Sequence, residues 1–84
     1  MDIECLQGKI IKERIFMEEI LDGILEAIDD EIRAQKHYKM LFEKTDDPMA
    51  KKLFEQLIID EENHERALRT RYEAFKKLMN ADKK

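Results

Sequence analysis

Three residues of this chain have types and spacing that could do chemistry: Glu31, in the run EAIDDEIRAQKHY, and the pair Glu61 and His64, in IIDEENHERAL. On a helix, a carboxylate and an imidazole three residues apart stand one turn apart on one face, close enough to share a metal ion. Mixed carboxylate and imidazole ligands suit Fe²⁺ and Mn²⁺, and they also accept Zn²⁺. The spacing alone carries little weight, because the chain contains twelve glutamates. Position carries more.

Met17, Leu21, Ile24, Ile28, Glu31, Gln35, Tyr38 and Phe42 recur in steps of three and four, which keeps them on one helical face. Glu31 interrupts this otherwise apolar stripe at its centre. A second stripe runs Leu53/Phe54, Leu57, Glu61, His64, Leu68, Tyr72, Phe75 and Met79, and Glu61 and His64 interrupt it in the same way. A solvated helix charge belongs off the stripe, where Glu55, Glu62 and Glu73 fall. On this reading Glu61 and His64 face inward, while Asp60, Glu62 and Glu65 face or flank water. A carboxylate on a buried face needs a charged partner or a metal.

The elements that must position these side chains are set by one punctuation mark, EKTDDPMAK at 43–51. Asp46 and Asp47 are good N-cap residues, and Pro48 suits the first helical position, where its missing N–H costs nothing. One helix therefore ends near Glu43 and another begins near Pro48, and so short a connection makes them antiparallel neighbours. The expected elements are a helix over 17–43 and a helix over 48–79, in a single domain over 1–84. The segment 1–16, with Ile3, Leu6, Ile10, Ile11 and Ile15, reads either as a separate short helix or as a backward extension of the first. Gly8 is a weak point in it, and Gly23 inside the first helix permits either close packing or a local bend.

Glu31 lies sixteen residues before Asp47 and Glu61 fourteen after it, so the two climb roughly 24 Å and 21 Å from the turn and end nearly level. One chain then supplies two carboxylates and one imidazole. The di-iron pattern of four-helix bundles takes a Glu from each of two helices and a Glu-x-x-His pair from each of the other two. Two copies of this hairpin about a twofold axis would complete that set. At 84 residues the chain is also of a size at which a single core is marginal and self-association is common.

Composition excludes other classes. The chain is 43% charged with two glycines and one proline, which is the usage of long helices, so the expectation is an all-α protein. Its net charge of −4 is built from interspersed acids and bases, leaving no basic stripe for nucleic acid and no polybasic patch for a membrane surface. No apolar run approaches a membrane span, and MDIECLQGKI lacks the form of a secretory leader, so a cytoplasmic protein is expected. The lone Cys5 reads as an incidental thiol.

The run from Ile24 to Phe75 resembles one half of the rubrerythrin branch of the ferritin-like superfamily. In that branch AI-x-x-E-x-x-A-x-x-x-Y is followed by a D-P turn and F-x-x-L-x-x-x-E-x-x-H. The matching positions are Ala27, Ile28, Glu31, Ala34, Tyr38, Asp47, Pro48, Phe54, Leu57, Glu61 and His64. The resemblance implies an antiparallel two-helix hairpin that dimerises into a ferritin-like four-helix bundle. It also implies a di-iron site, with Mn or Zn as other occupants, built between subunits from Glu31, Glu61 and His64. Tyr38, and more weakly Gln35, would support the ligands by hydrogen bonding.

The implied activity is that of a ferroxidase or a peroxidase-type oxidoreductase acting on O₂ or peroxide in iron or oxidative-stress handling. A single hairpin is similar to encapsulated ferritins, whose iron site spans a subunit interface, but LMNADKK has no apolar targeting peptide for a shell protein. With one cysteine the chain also lacks the four ligands of a rubredoxin-like iron domain. The alternatives are a non-catalytic helical oligomerisation module whose Glu/His layer selects its partner, and a structural Zn or Mn site. His37, among charged neighbours, reads as a surface residue.

Overall fold

The computed structural model describes residues 3–81, and the surroundings of the side chains from Lys12 to Asn80. Two helices make up this part: α1, Ile3–Lys44, and α2, Pro48–Ala81. The expected first helix is thus extended backwards without a break at Gly8, and the connection is Thr45, Asp46 and Asp47. The apolar positions Ile3, Leu6, Ile10 and Ile11, the thiol of Cys5 and the tail residues 82–84 lie outside what is described at side-chain level. No described helix is long and apolar enough to cross a membrane.

The turn is closed by local hydrogen bonds. Asp47 is the N-cap of α2: its carboxylate oxygens accept from the backbone N–H groups of Met49 and Ala50, each at 3.3 Å, and its carbonyl accepts from Lys51 N at 2.9 Å. Thr45 N donates to Leu41 O at 3.1 Å, and Asp47 N to Thr45 Oγ1 at 3.2 Å, so the three linking residues leave little freedom to the angle of exit. Lys51 fastens the two helices beside the turn. Its ammonium donates to the Phe42 carbonyl at 2.8 Å, at the C-terminal end of α1, and lies 4.4 Å from the centre of the Phe42 ring.

The first stripe holds residue by residue: Met17, Leu21, Ile24, Glu31, Tyr38 and Phe42 are half-buried, while Ile28 and Gln35 are buried. On α2 the interface is formed by Phe54, Leu57, Ile58, Glu61, Glu65, Leu68, Tyr72, Phe75 and Met79, all half-buried, with Leu53 turned outward. Gly23 is exposed, and a Cβ built there meets nothing within 4 Å, so this chain's own packing does not require the glycine. The helix passes through it unbroken.

Two helices side by side cannot enclose a core. Ile28, at 4% exposure, is the one apolar residue that counts as buried among those described. The hairpin measures 68 × 17 × 14 Å with a radius of gyration of 19.7 Å, against about 12 Å for a compact chain of this length. Its accessible surface of 6973 Å² exceeds by about a third the ~5300 Å² of a compact monomer of this mass.

Two substitutions test this local account by urea unfolding. Asp47→Ala removes the cap and is expected to cost about 1 kcal/mol. Gly23→Ala adds a methyl group to open space on a helix and is expected to stabilise by up to about 1 kcal/mol.

Candidate metal centre

The hairpin brings Glu31 of α1 level with Glu61 and His64 of α2. One potential ligand atom from each lies within 4.8 Å of the others, and this is the one such group among the described residues. His64 Nδ1 stands 3.5 Å from Glu31 Oε2 and 3.5 Å from Glu61 Oε2. Donor atoms sharing an ion at bonds of about 2.1 Å sit roughly 3.0–3.5 Å apart, so the two distances from His64 are those of neighbouring ligands around one centre.

The electrostatics of the group are unbalanced. Glu31 Oε2 is shielded from solvent and has no hydrogen-bond partner, since the approach of His64 at 3.5 Å is long for a hydrogen bond and makes none. It is the one such orphan among the described side chains. Two carboxylates face each other here with no lysine or arginine between them, an arrangement that costs free energy unless a cation supplies the missing charge.

His64 differs from expectation. It does not point into the helix interface: its side chain is 60% exposed, at the rim of the pair, while Glu31 and Glu61 are mostly covered. A step of three residues turns a helix by about 300°, so the residue after Glu61 on that row falls back toward the flank rather than beneath it. In the single chain the imidazole therefore closes one side of the group and faces outward with the other.

Glu65 also departs from its reading as a water-facing acid. It is half-buried against α1, with Oε1 accepting from Gln35 Nε2 at 2.8 Å and Oε2 accepting from Arg69 Nε at 2.8 Å. The hydrogen bond from Gln35 and then that from Arg69 hold its carboxyl below the ordinary carboxylate value, against the opposing effect of burial. Its position four residues after Glu61 on the same row was the available signal. Asp60 is half-buried too, whereas Glu62 and His37 are exposed as expected.

Gln35 is the buried polar residue of the hairpin at 8% exposure, yet its amide turns across to Glu65 and, at 3.4 Å, to the carbonyl of Glu61 rather than to Glu31. Tyr38 is half-buried with its ring 5.8 Å from that of His37. Its hydroxyl makes no hydrogen bond to Glu31 or Glu61 in the hairpin, so the supporting role expected of it is not realised within one chain.

Carboxylate-bridged metal proteins built as four-helix bundles carry a Glu on each of two helices and a Glu-x-x-His pair on each of the other two, and this hairpin carries one of each. The family model for rubrerythrin matches residues 10–83, and the chain belongs to that family, within the ferritin-like superfamily. Iron binding is typical of this family. No curated protein and no solved structure matches the chain significantly.

If the Glu31 carboxylate is held for a ligand and not for the fold, removing it relieves the metal-free protein. Glu31→Leu is expected to raise the stability of the metal-free protein by about 1 kcal/mol in urea unfolding, through loss of an uncompensated charge, while abolishing metal uptake.

Proposed function

We propose that this chain is one half of a non-haem di-iron protein whose site forms between two subunits, with Glu31, Glu61 and His64 contributed by each. The observation that carries this reading is the solvent-shielded, unpartnered Oε2 of Glu31 standing against Glu61 and His64 within 4.8 Å. Two carboxylates and one imidazole fit the ligand set that half of a di-iron centre asks of one hairpin, and among the described residues no lysine or arginine is paired with the carboxylates.

Assembly follows from the same residues. His64 is exposed in the single chain, and the exposed Met49, Leu53 and Leu78 lie on its side of α2, at helical spacings of 4, 11 and 14 residues. A second copy laid on this face would cover those side chains, bring its own Glu31, Glu61 and His64 to the first set, and supply the enclosure that a two-helix layer lacks. The protein's part in the chemistry is to hold the ligands close, to shield the carboxylates from water, and to leave positions open for an oxidant. Bound iron would supply the oxidation chemistry, as a ferroxidase or a peroxide- or O₂-reactive oxidoreductase.

The test is to add Fe²⁺ anaerobically to metal-free protein and follow stoichiometry, mass in solution and absorbance on admitting air. The expected result is a dimer or higher oligomer taking up about one iron per chain, with an absorbance change that requires air. Glu61→Ala and His64→Ala each abolish uptake, and Glu62→Ala leaves it unchanged. A metal-free monomer that takes up no metal overturns the reading, and tight zinc binding without any air-dependent change replaces it with a structural site.

A further inference from the structure

Across the level of the proposed ligands runs a diagonal polar bridge of the opposite character. Because the helices are antiparallel, Gln35, four residues beyond Glu31 on α1, lies one turn nearer the connection, and Glu65, four residues beyond Glu61 on α2, lies one turn farther from it. Gln35 Nε2 donates to Glu65 Oε1 at 2.8 Å and approaches the Glu61 carbonyl at 3.4 Å, while Arg69 Nε donates to the remaining Glu65 oxygen at 2.8 Å. Both oxygens of Glu65 are thereby occupied. Gln35 is buried, and among the described residues it is the one side chain of α1 that reaches across to hydrogen-bond the α2 turn carrying Glu61.

We infer that Gln35 and Glu65 form a register clamp that positions the metal ligands, an inference that rests on the metal-binding reading above. The geometry does two things at once. It ties the turn of α1 that carries Glu31 to the turn of α2 that carries Glu61, so that neither helix can slide or rotate without breaking a half-buried hydrogen bond. Apolar contacts such as Ile28 against α2 tolerate a small slide, because dispersion is non-directional; an amide donating to a carboxylate does not. The clamp also occupies Glu65, a third acidic side chain on the same row as Glu61, and keeps it out of the ligand group. Gln35 is a positioning residue in this scheme: it touches the backbone of a ligand residue and not the ligand atoms.

Glu31 and Glu61 especially need such a device. Their carboxylates repel each other in the metal-free chain, and the one group beside them at their own level is the exposed His64, at 3.5 Å from each. Without the clamp the cheapest response is a small rotation of one helix that carries one carboxylate out to water. The ion must then pull the helices back into register, and binding weakens by the free energy of that step.

The experiment titrates the full-length metal-free protein with Co²⁺ alone, reading affinity and the visible absorption bands, and follows urea unfolding of each metal-free variant in parallel. Gln35→Met keeps the volume and removes the donor; Glu65→Met removes the acceptor. Each is expected to weaken Co²⁺ binding about tenfold and to alter the absorption bands, the scale found when groups supporting metal ligands are lost.

The double variant should bind no more weakly than either single one, because both remove the same bond. Glu65→Gln retains an acceptor for the Gln35 amide and should bind within about threefold of the unaltered protein. If Gln35→Met or Glu65→Met unfolds more easily but binds Co²⁺ with unchanged affinity and spectrum, the pair is merely structural and the inference is overturned. If Gln35→Met does not fold, Glu65→Met decides alone. Failure of the unaltered protein to bind Co²⁺ would instead bring down the metal-binding reading itself.

Discussion

The structure turns on two carboxylates that one chain forces together and does not neutralise. Glu31 and Glu61 come from different helices, reach the same level, and meet with His64 alone beside them. Isolated in a half-covered interface, such a pair favours separation. What holds it is everything else in the hairpin: the capped Asp47–Pro48 turn that fixes the count of residues on each side, the Lys51 contact that pins the helices beside it, and the Ile28 and Gln35 layers that flank Glu31. Position along the helices is therefore the quantity that the turn and the stripes control.

The hairpin itself is poorly able to bear that cost. Its described side chains include a single buried apolar residue, and its surface is that of an extended rod rather than of a compact domain. Helix propensity alone gives marginal stability in water, and most helical stability comes from packing an apolar face. Here one face is packed, and a further set of apolar side chains, Met49, Leu53 and Leu78 with His64 between them, is left outside. The same side of α2 thus carries exposed apolar side chains and the exposed His64. On the proposed reading, a second copy on that side would cover the former and complete the ligand set, coupling folding, assembly and ligand binding.

Much of this was legible in the sequence because helical periodicity and turn chemistry are local. The stripe from Met17 to Phe42 and the start of α2 at Pro48 needed nothing but spacing and capping preferences, and the level placement of Glu31 and Glu61 followed by counting from the turn. What was not legible depended on radial angle. Glu65 and His64 are sequence neighbours about 100° apart on the helix, and the packing angle of α1 decides which is covered. Following the stripe from Glu61 by a step of three assigned His64 to the interior and Glu65 to water, and α1 lies so as to do the reverse. The partner of Gln35 was hidden for the same reason: a hydrogen bond from one helix to the other, thirty residues away in sequence, leaves no periodic mark.

The Gln35–Glu65 bridge also bears on what the Glu31 layer is for. A polar layer in a helical bundle has a well-attested use in fixing register, and a buried group that serves this use is one whose hydrogen bonds are satisfied. Gln35, Glu65 and Arg69 meet that description: the amide donates, both carboxylate oxygens accept, and the helices are tied. The Glu31 and Glu61 group that this bridge crosses does not. Glu31 Oε2 is covered and unpaired, Glu61 adds a second negative charge, and His64 stands at a distance that makes no hydrogen bond to Glu31. As a second register device this layer would be redundant and would cost stability. The same features are what a cation requires: unengaged oxygens, a surplus of negative charge, and a nitrogen at ligand spacing. The contrast between a satisfied polar bridge and the unsatisfied group beside it therefore favours metal binding over partner selection as the use of Glu31, Glu61 and His64.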